Sequence, residues 1–360
     1  MPPSHRVGGK SVTSSGHEQR LFDRELLEEY LREQLGPAEH SEIVRHPGGH
    51  SNETLFIEWD GQYVLRRPPI GSSGGKAHDM LREYRIIDAL QSTDVPVAET
   101  VFACSDPSII GAEFYLMRRR QGDVYRPSNP PSYTSSIDRR AVGMAQVDTL
   151  ARIHQVDVSA AGLGDLGHPS GFTARQIDIW DEQLQAAREV THAERPINGT
   201  DAIVSWLRAN RPEMAAPTLV HGDYKLDNLM YHPDDPRSVI AVFDWELCTV
   251  GDPLTDLGWM LLFWHDPGDL DVAMPNLMPR FTQQEGFPTR QSLIERYTEL
   301  TGNRPKAMDF YEGLAAFKMI ALGEMFFARH LRGESDDPLY PKMRSGVPEL
   351  IDQTRGRLDC

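Results

Sequence analysis

Between two apolar pairs the chain places a polar run: LVHGDYKLDNLM at 219–230, holding His221, Gly222, Asp223, Lys225 and Asn228. A second apolar run follows, VIAVFDWE at 239–246, and it ends on Asp244. Together these stretches constrain the fold more than any other part of the chain. Two β-prone segments must flank a charged loop, and the second must deliver a carboxylate at its end. The plain reading of the loop is a solvated turn, because Asp and Asn favour turns. The alternative is a loop that holds a carboxylate and an amide at fixed separation. A carboxylate closing an apolar strand is costly to bury without a partner. It either caps a turn or meets a metal ion.

Around this segment the periodicities divide the chain. LFDRELLEEYLREQLG (21–36) has helical spacing and stops at Gly36. Strands are expected over 42–46, 54–59 and 62–67, the last two joined at Asp60-Gly61 as a hairpin. A helix follows over 76–91, then strands within 95–105 and 113–118. From Asp138 onward the pattern is mainly helical: 138–155, 172–190, 198–211, 254–265, 290–300 and 305–332. The reading is an α+β bilobal chain with a small antiparallel-sheet lobe at 21–118, a hinge at 119–122 and a larger helical lobe at 123–360.

Composition excludes several classes. No stretch reaches the roughly 18 uninterrupted apolar residues of a membrane helix, so no membrane partner is expected. Three cysteines without a CxxC pair argue against a disulfide framework and a zinc site. The net charge of −16 disfavours nucleic acid and anionic lipid as partners. Residues 1–20 are polar and Gly/Ser-rich, read as a disordered tail and not a secretory signal. The expected location is cytoplasmic, as a monomer or homodimer.

The spacing of His221-Gly222-Asp223 to Asn228 is that of the protein-kinase HRDxxxxN loop. There the Asp orients and deprotonates an attacking hydroxyl, and the Asn holds a magnesium ion. Asp244 stands where kinases end a strand on their metal-binding Asp. GDPLTDLG (251–258) follows, and Asp256 is suited both to cap the helix that begins there and to brace the loop by accepting its N–H groups, two structural roles that can coexist. This three-part pattern resembles the aminoglycoside phosphotransferase/choline kinase-like family, which has a protein-kinase-like fold. The resemblance spans about residues 20–335. HGDYKLDNLM, FDWELCTVGDPLTDLGW and RQSLIERYTELTG look most like the kinase-like domain associated with unusual acyl-CoA dehydrogenases and its stand-alone bacterial homologues.

The resemblance implies ATP and Mg²⁺ as cofactors and a small-molecule hydroxyl as acceptor. Asp223 and Lys225 would be catalytic, Asn228 and Asp244 would hold the metal, and His221 and Asp256 would be structural. In GGHSNETLFI (48–57), Gly49, Ser51 and Asn52 would cradle phosphate. Arg66 stands where the family usually has Lys, paired with Glu83; Arg keeps the charge but changes the geometry. Met117 would flank the adenine, with the backbone of Arg118 and Arg119 at its edge. Arg175, Trp180 and Glu246 are candidate substrate contacts. A hydroxyacyl or hydroxy-acid acceptor is favoured over an aminoglycoside. The alternative is a pseudokinase that binds nucleotide and regulates a partner, which only Arg66 favours. GLGDLG (162–167) matches GxGxxG without a preceding strand, so a dinucleotide fold is rejected. His154, at a helix end, is read as structural.

Overall fold

The structure, a computed structural model, describes residues 23–46, 52–69, 78–126, 135–214, 216–269, 274 and 280–360. The polar segment 1–20, Gly49, Ser51 and the GSSGG stretch lie outside them. The chain divides into two compact units, the first up to Arg85 with Glu99–Arg119, the second Ile86–Ala98 with Arg120–Cys360.

The first unit opens with α1 (Arg24–Leu35), capped by the Asp23 carboxylate, which accepts from the N–H groups of Glu25 and Leu26. Five antiparallel strands follow: β1 (Ser41–Arg45), β2 (Glu53–Trp59), β3 (Gln62–Arg67), β4 (Thr100–Cys104) and β5 (Phe114–Arg118), in the order β1-β2-β3-β5-β4. The Asp60-Gly61 turn pairs Glu58 with Gln62, as the hairpin reading requires. Leu27 and Leu31 of α1 bury against Leu55, Ile57, Leu65 and Phe114. Each such fully buried leucine contributes about 1.5–3 kcal/mol. The helix α2 runs Met80–Leu90. In β3 Tyr63, Val64, Leu65 and Arg67 are buried, and Arg66, on the opposite face from Leu65 and Arg67 by strand geometry, is half-buried. Arg67 donates to the Ile110 carbonyl at 2.9 Å, so it belongs to the core.

In the second unit β6 (Asp123–Val124), β8 (Leu229–His232) and β9 (Asp235–Val242) form one small sheet, and β7 (Thr218–Val220) pairs with β10 (Thr249–Gly251) in another. The helices are α3 (Ser136–His154), α4 (Phe172–Thr191), α5 (Thr200–Ala209), α6 (Leu254–Leu262), α7 (Arg290–Thr301), α8 (Met308–Leu331) and α9 (Met343–Leu358). α8 is apolar on nearly every side and packs against α4, α6 and α9, as a helix hydrophobic all round must be enclosed. Among the described residues no helix is long and apolar enough to cross a membrane.

Two expectations need correction. β9 ends at Val242, so Phe243 and Asp244 lie beyond the strand, with Asp244 in the left-handed region at φ 66°. The helical inventory also stops too early at 332, because α9 contains Pro348. A proline there removes the N–H that would bond the Arg344 carbonyl four residues back. The Arg195 guanidinium replaces it, donating to Arg344 at 2.6 Å and to the Met343 carbonyl at 3.0 Å, while pairing with buried Glu324 at 2.7 Å. A distant side chain therefore repairs what local sequence forbids.

Candidate active site

Chain direction brings the loop together first. β7 delivers His221, then Gly222 turns the backbone at φ 87°, where an added Cβ would lie 2.8 Å from Leu247. A short 3-10 turn, Leu226–Asn228, returns the chain into β8. The Tyr224 hydroxyl is buried and donates to the Gln146 carbonyl at 2.7 Å, which ties the loop to α3.

The carboxylate of Asp223 is held on three sides. Oδ1 accepts from the Trp259 indole at 2.7 Å. Oδ2 accepts from Lys225 Nζ at 2.5 Å and from Asn228 Nδ2 at 3.0 Å. Burial pushes this carboxyl up, but the Lys225 and Lys318 ammonium groups outweigh it and hold it below the usual carboxylate range. Lys225 is likewise opposed by burial, yet Asp223 and Asp227 keep it firmly protonated, well above an ordinary lysine. The pair is a carboxylate and an ammonium at neutral pH.

The residue before Asp244 is tied to Asn228: the Phe243 N–H donates to the Asn228 carbonyl at 2.9 Å. His221 adds a second tie, its Nε2 at 2.8 Å from the Phe243 carbonyl. Its Nδ1 accepts the Asp223 N–H at 3.2 Å. That pattern requires the neutral ring with its proton on Nε2, and burial accordingly lowers the pKa of His221. Because the Asn228 amide nitrogen is used on Asp223, its Oδ1 is the oxygen that can turn to a cation. An amide oxygen with a carboxylate is a hard, all-oxygen donor set, which suits magnesium because that ion keeps waters and phosphate oxygens as its other ligands. Among the described residues no group of three or more His, Cys, Asp or Glu is arranged as a metal cage.

Of the two structural roles read for Asp256, the bracing one is made by its hydrogen bonds. Its carboxylate accepts from the His221 N–H at 2.6 Å and the Gly222 N–H at 2.8 Å, so it braces the loop. The start of α6 is served instead by Asp252, which accepts from the Leu254 N–H at 3.1 Å. His154 stands 3.3 Å from Asp256 and 2.7 Å from the Tyr297 hydroxyl, a structural link, as read. Burial raises the Asp256 carboxyl, and the hydrogen bonds from His154 and the Gly222 N–H are among the contacts that more than offset it.

In the first unit, Arg66 pairs with buried Glu83 at 3.6 Å. Asn52 is buried, its Oδ1 2.9 Å from His78 Nδ1. Met117 is buried opposite Val64. The N–H groups of Arg118 and Arg119 are engaged in the first unit. They donate within the unit, to the Glu99 and Gln62 carbonyls at 2.7 and 2.9 Å. The guanidinium groups lie over Tyr63 and Phe56.

Of the three substrate candidates, Arg175 folds back on the carbonyls of His168 and Ser170, which makes it a brace for that turn. Glu246 is half-buried, two residues past Asp244. Trp180 lies in the site, its ring 5.4 Å from Lys318 Nζ. Two participants escaped the sequence reading. Trp259 stands three residues after Asp256 on one helical face, and Lys318 is the sole charge between Glu312 and Glu324 in an apolar helix.

The profile of the phosphotransferase enzyme family matches residues 42–295. Acyl-CoA dehydrogenase family member 11 of Mus musculus is 37% identical over 327 residues, covering 88% of this chain and 41% of that protein. The chain thus spans well under half the length of this curated relative. A Ralstonia eutropha JMP134 structure, provisionally described as an aminoglycoside phosphotransferase, is 31% identical with a TM-score of 0.78, covering 94% of this chain and 98% of that one. The streptomycin–ATP ternary complex of aminoglycoside phosphotransferase APH(2")-IIa aligns over 96% of this chain and 99% of its own at a TM-score of 0.55 and 15% identity, which speaks to fold alone. The α+β, protein-kinase-like fold follows from these likenesses.

Proposed function

The chain belongs to the phosphotransferase enzyme family, and from that premise we propose that it transfers the γ-phosphoryl group of ATP, with Mg²⁺, to a hydroxyl of a small molecule. The observation that carries this reading is the Asp223 carboxylate, fixed by Trp259, Lys225 and Asn228 on a loop braced by Asp256.

In this reading Asp223 receives the acceptor hydroxyl in hydrogen-bond range and takes its proton as the new oxygen–phosphorus bond forms and the bond to the leaving diphosphate breaks. A depressed carboxyl pKa suits a loose transition state, in which orientation matters more than basicity. Lys225, already on Asp223, offsets charge near the transferring group. A bound Mg²⁺ would neutralise phosphate charge, and Asn228 and Asp244 are the residues that would hold it. Arg66, steadied by Glu83, is the phosphate contact proposed in the first unit, with Asn52 beside the nucleotide loop. An acceptor of the hydroxyacyl or hydroxy-acid kind is favoured over an aminoglycoside. The support is the 37% identity to a relative named for acyl-CoA chemistry.

The test is ATP consumption against a panel of hydroxyacyl-CoAs, hydroxy acids, choline and aminoglycosides. Turnover with a hydroxyacyl compound is expected. ATP binding without turnover on any member would replace this reading with the nucleotide-binding regulator. The metal assignment is checked separately: Asp244→Ala should weaken Mg²⁺-dependent nucleotide binding at least about tenfold. Titration calorimetry with and without Mg²⁺ reads this directly, and an undiminished Mg²⁺ effect would remove Asp244 from the ligand set.

A further inference from the structure

Lys318 sits in the middle of α8, where its neighbours in sequence are Phe317, Met319 and Ile320. A leucine or methionine would serve packing there at no cost, whereas a lysine in such a helix must find partners. Its partners all belong to the loop or to the loop's wall. Nζ lies 3.9 Å from the centre of the Trp259 ring and 5.4 Å from that of Trp180. It donates to the Gly222 carbonyl.

That carbonyl belongs to the peptide group joining Gly222 to Asp223. The same peptide's N–H, on Asp223, is bonded to His221 Nδ1 at 3.2 Å. The peptide preceding the carboxylate is therefore gripped at both ends. One grip comes from the loop itself and the other from a helix far along the chain. Trp259 ties the two effects together, because its ring receives the Lys318 ammonium and its indole N–H donates to Asp223.

We propose that Lys318 is a positioning residue for phosphoryl transfer: it fixes the peptide that carries Asp223 and sets the charge environment of that carboxylate, with Trp180 and Trp259 holding its ammonium in place. The proposal rests on the phosphotransferase reading above. The charged groups acting on Lys318 are Asp223 and Lys225 of the loop and Asp256 of α6. Burial pulls its pKa down, Asp223 and Asp256 resist, and the balance is about 8, so it is charged at neutral pH and loses the charge in mildly alkaline solution.

The sign of that linkage separates position from stability. The folded value lies below the unfolded value of about 10.4. As pH rises through about 8, the folded state sheds a buried charge before the unfolded chain does, so this group's contribution to stability increases. A fall in kcat over the same range is then not unfolding.

The experiment compares Lys318→Met and Lys318→Arg in the full chain. Lys318→Met should lower kcat roughly 10- to 100-fold, the scale of a misplaced reacting group. KM for nucleotide and acceptor should stay within about twofold, and the alkaline limb of kcat near pH 8 should disappear. Lys318→Arg should restore part of the rate. The indole N–H resonance of Trp259 should shift in Lys318→Met and move back in Lys318→Arg. Wild-type kcat in Lys318→Met, or equal losses in both variants with an unmoved indole resonance, would overturn the assignment. Should the wild-type protein phosphorylate no alcohol, the indole resonance still reports on Lys318, so the two readings fail separately.

Discussion

Replacing Asp223 by alanine should lower phosphoryl transfer by about 10²- to 10⁴-fold, the contribution of a positioned proton acceptor, and leave nucleotide binding close to wild type. The substitution also strips Trp259, Lys225 and Asn228 of the acceptor they share. Asp223→Asn is therefore the sharper probe. It keeps the shape and one oxygen for hydrogen bonding while removing the charge and the proton acceptor. Both variants should lose kcat by similar factors in an ATP-coupled assay on whichever acceptor the panel identifies. Turnover within tenfold of wild type in Asp223→Asn would show that the residue only orients its neighbours.

The second large effect concerns Asp256, which touches no reacting atom. Removing its carboxylate leaves the His221 and Gly222 N–H groups without their acceptor, beside a His154 ring that has lost its contact with Asp256. Leaving a buried N–H donor without its acceptor costs about 1–3 kcal/mol, and two are left here. In a unit of this size that corresponds to a fall in melting temperature on the order of 10 °C. Transfer should fall with it, because the loop loses the brace that aims Asp223. Asp256→Asn, which retains one acceptor oxygen, should lose less stability than Asp256→Ala in thermal unfolding. Equal melting temperatures for Asp256→Ala and wild type would refute the bracing role. The pH dependence has a defined sign. The folded carboxyl lies below its unfolded value of about 3.9. Its contribution is present above that pH and is lost as pH falls through the depressed folded value.

Much of the site was legible because its chemistry is packed into short local spacings. Asp223, Lys225 and Asn228 lie on one loop, and Asp244 follows one hairpin later. The Arg66–Glu83 pair was also readable, since a strand alternates sides and the following helix has its own periodicity. Where the N–H groups of Arg118 and Arg119 go was not legible, because a sequence does not say which backbone N–H groups a fold will consume. Arg175 misled because a guanidinium can find carbonyls on its own turn as readily as a substrate.

By itself, the sequence determined the order of elements, the small sheet before the helices, and the Asp–Asn–Asp spacing from which phosphoryl transfer was inferred. Those properties depend on period, turn chemistry and separations of a few residues. Only the tertiary structure decided that Asp256 braces the loop. It also decided that Trp259 and Lys318 reach the loop from 36 and 96 residues away, and that Arg195 makes Pro348 tolerable inside α9. Each of those outcomes turns on where a buried donor finds its acceptor. That is a matter of packing in space, and no local pattern encodes it.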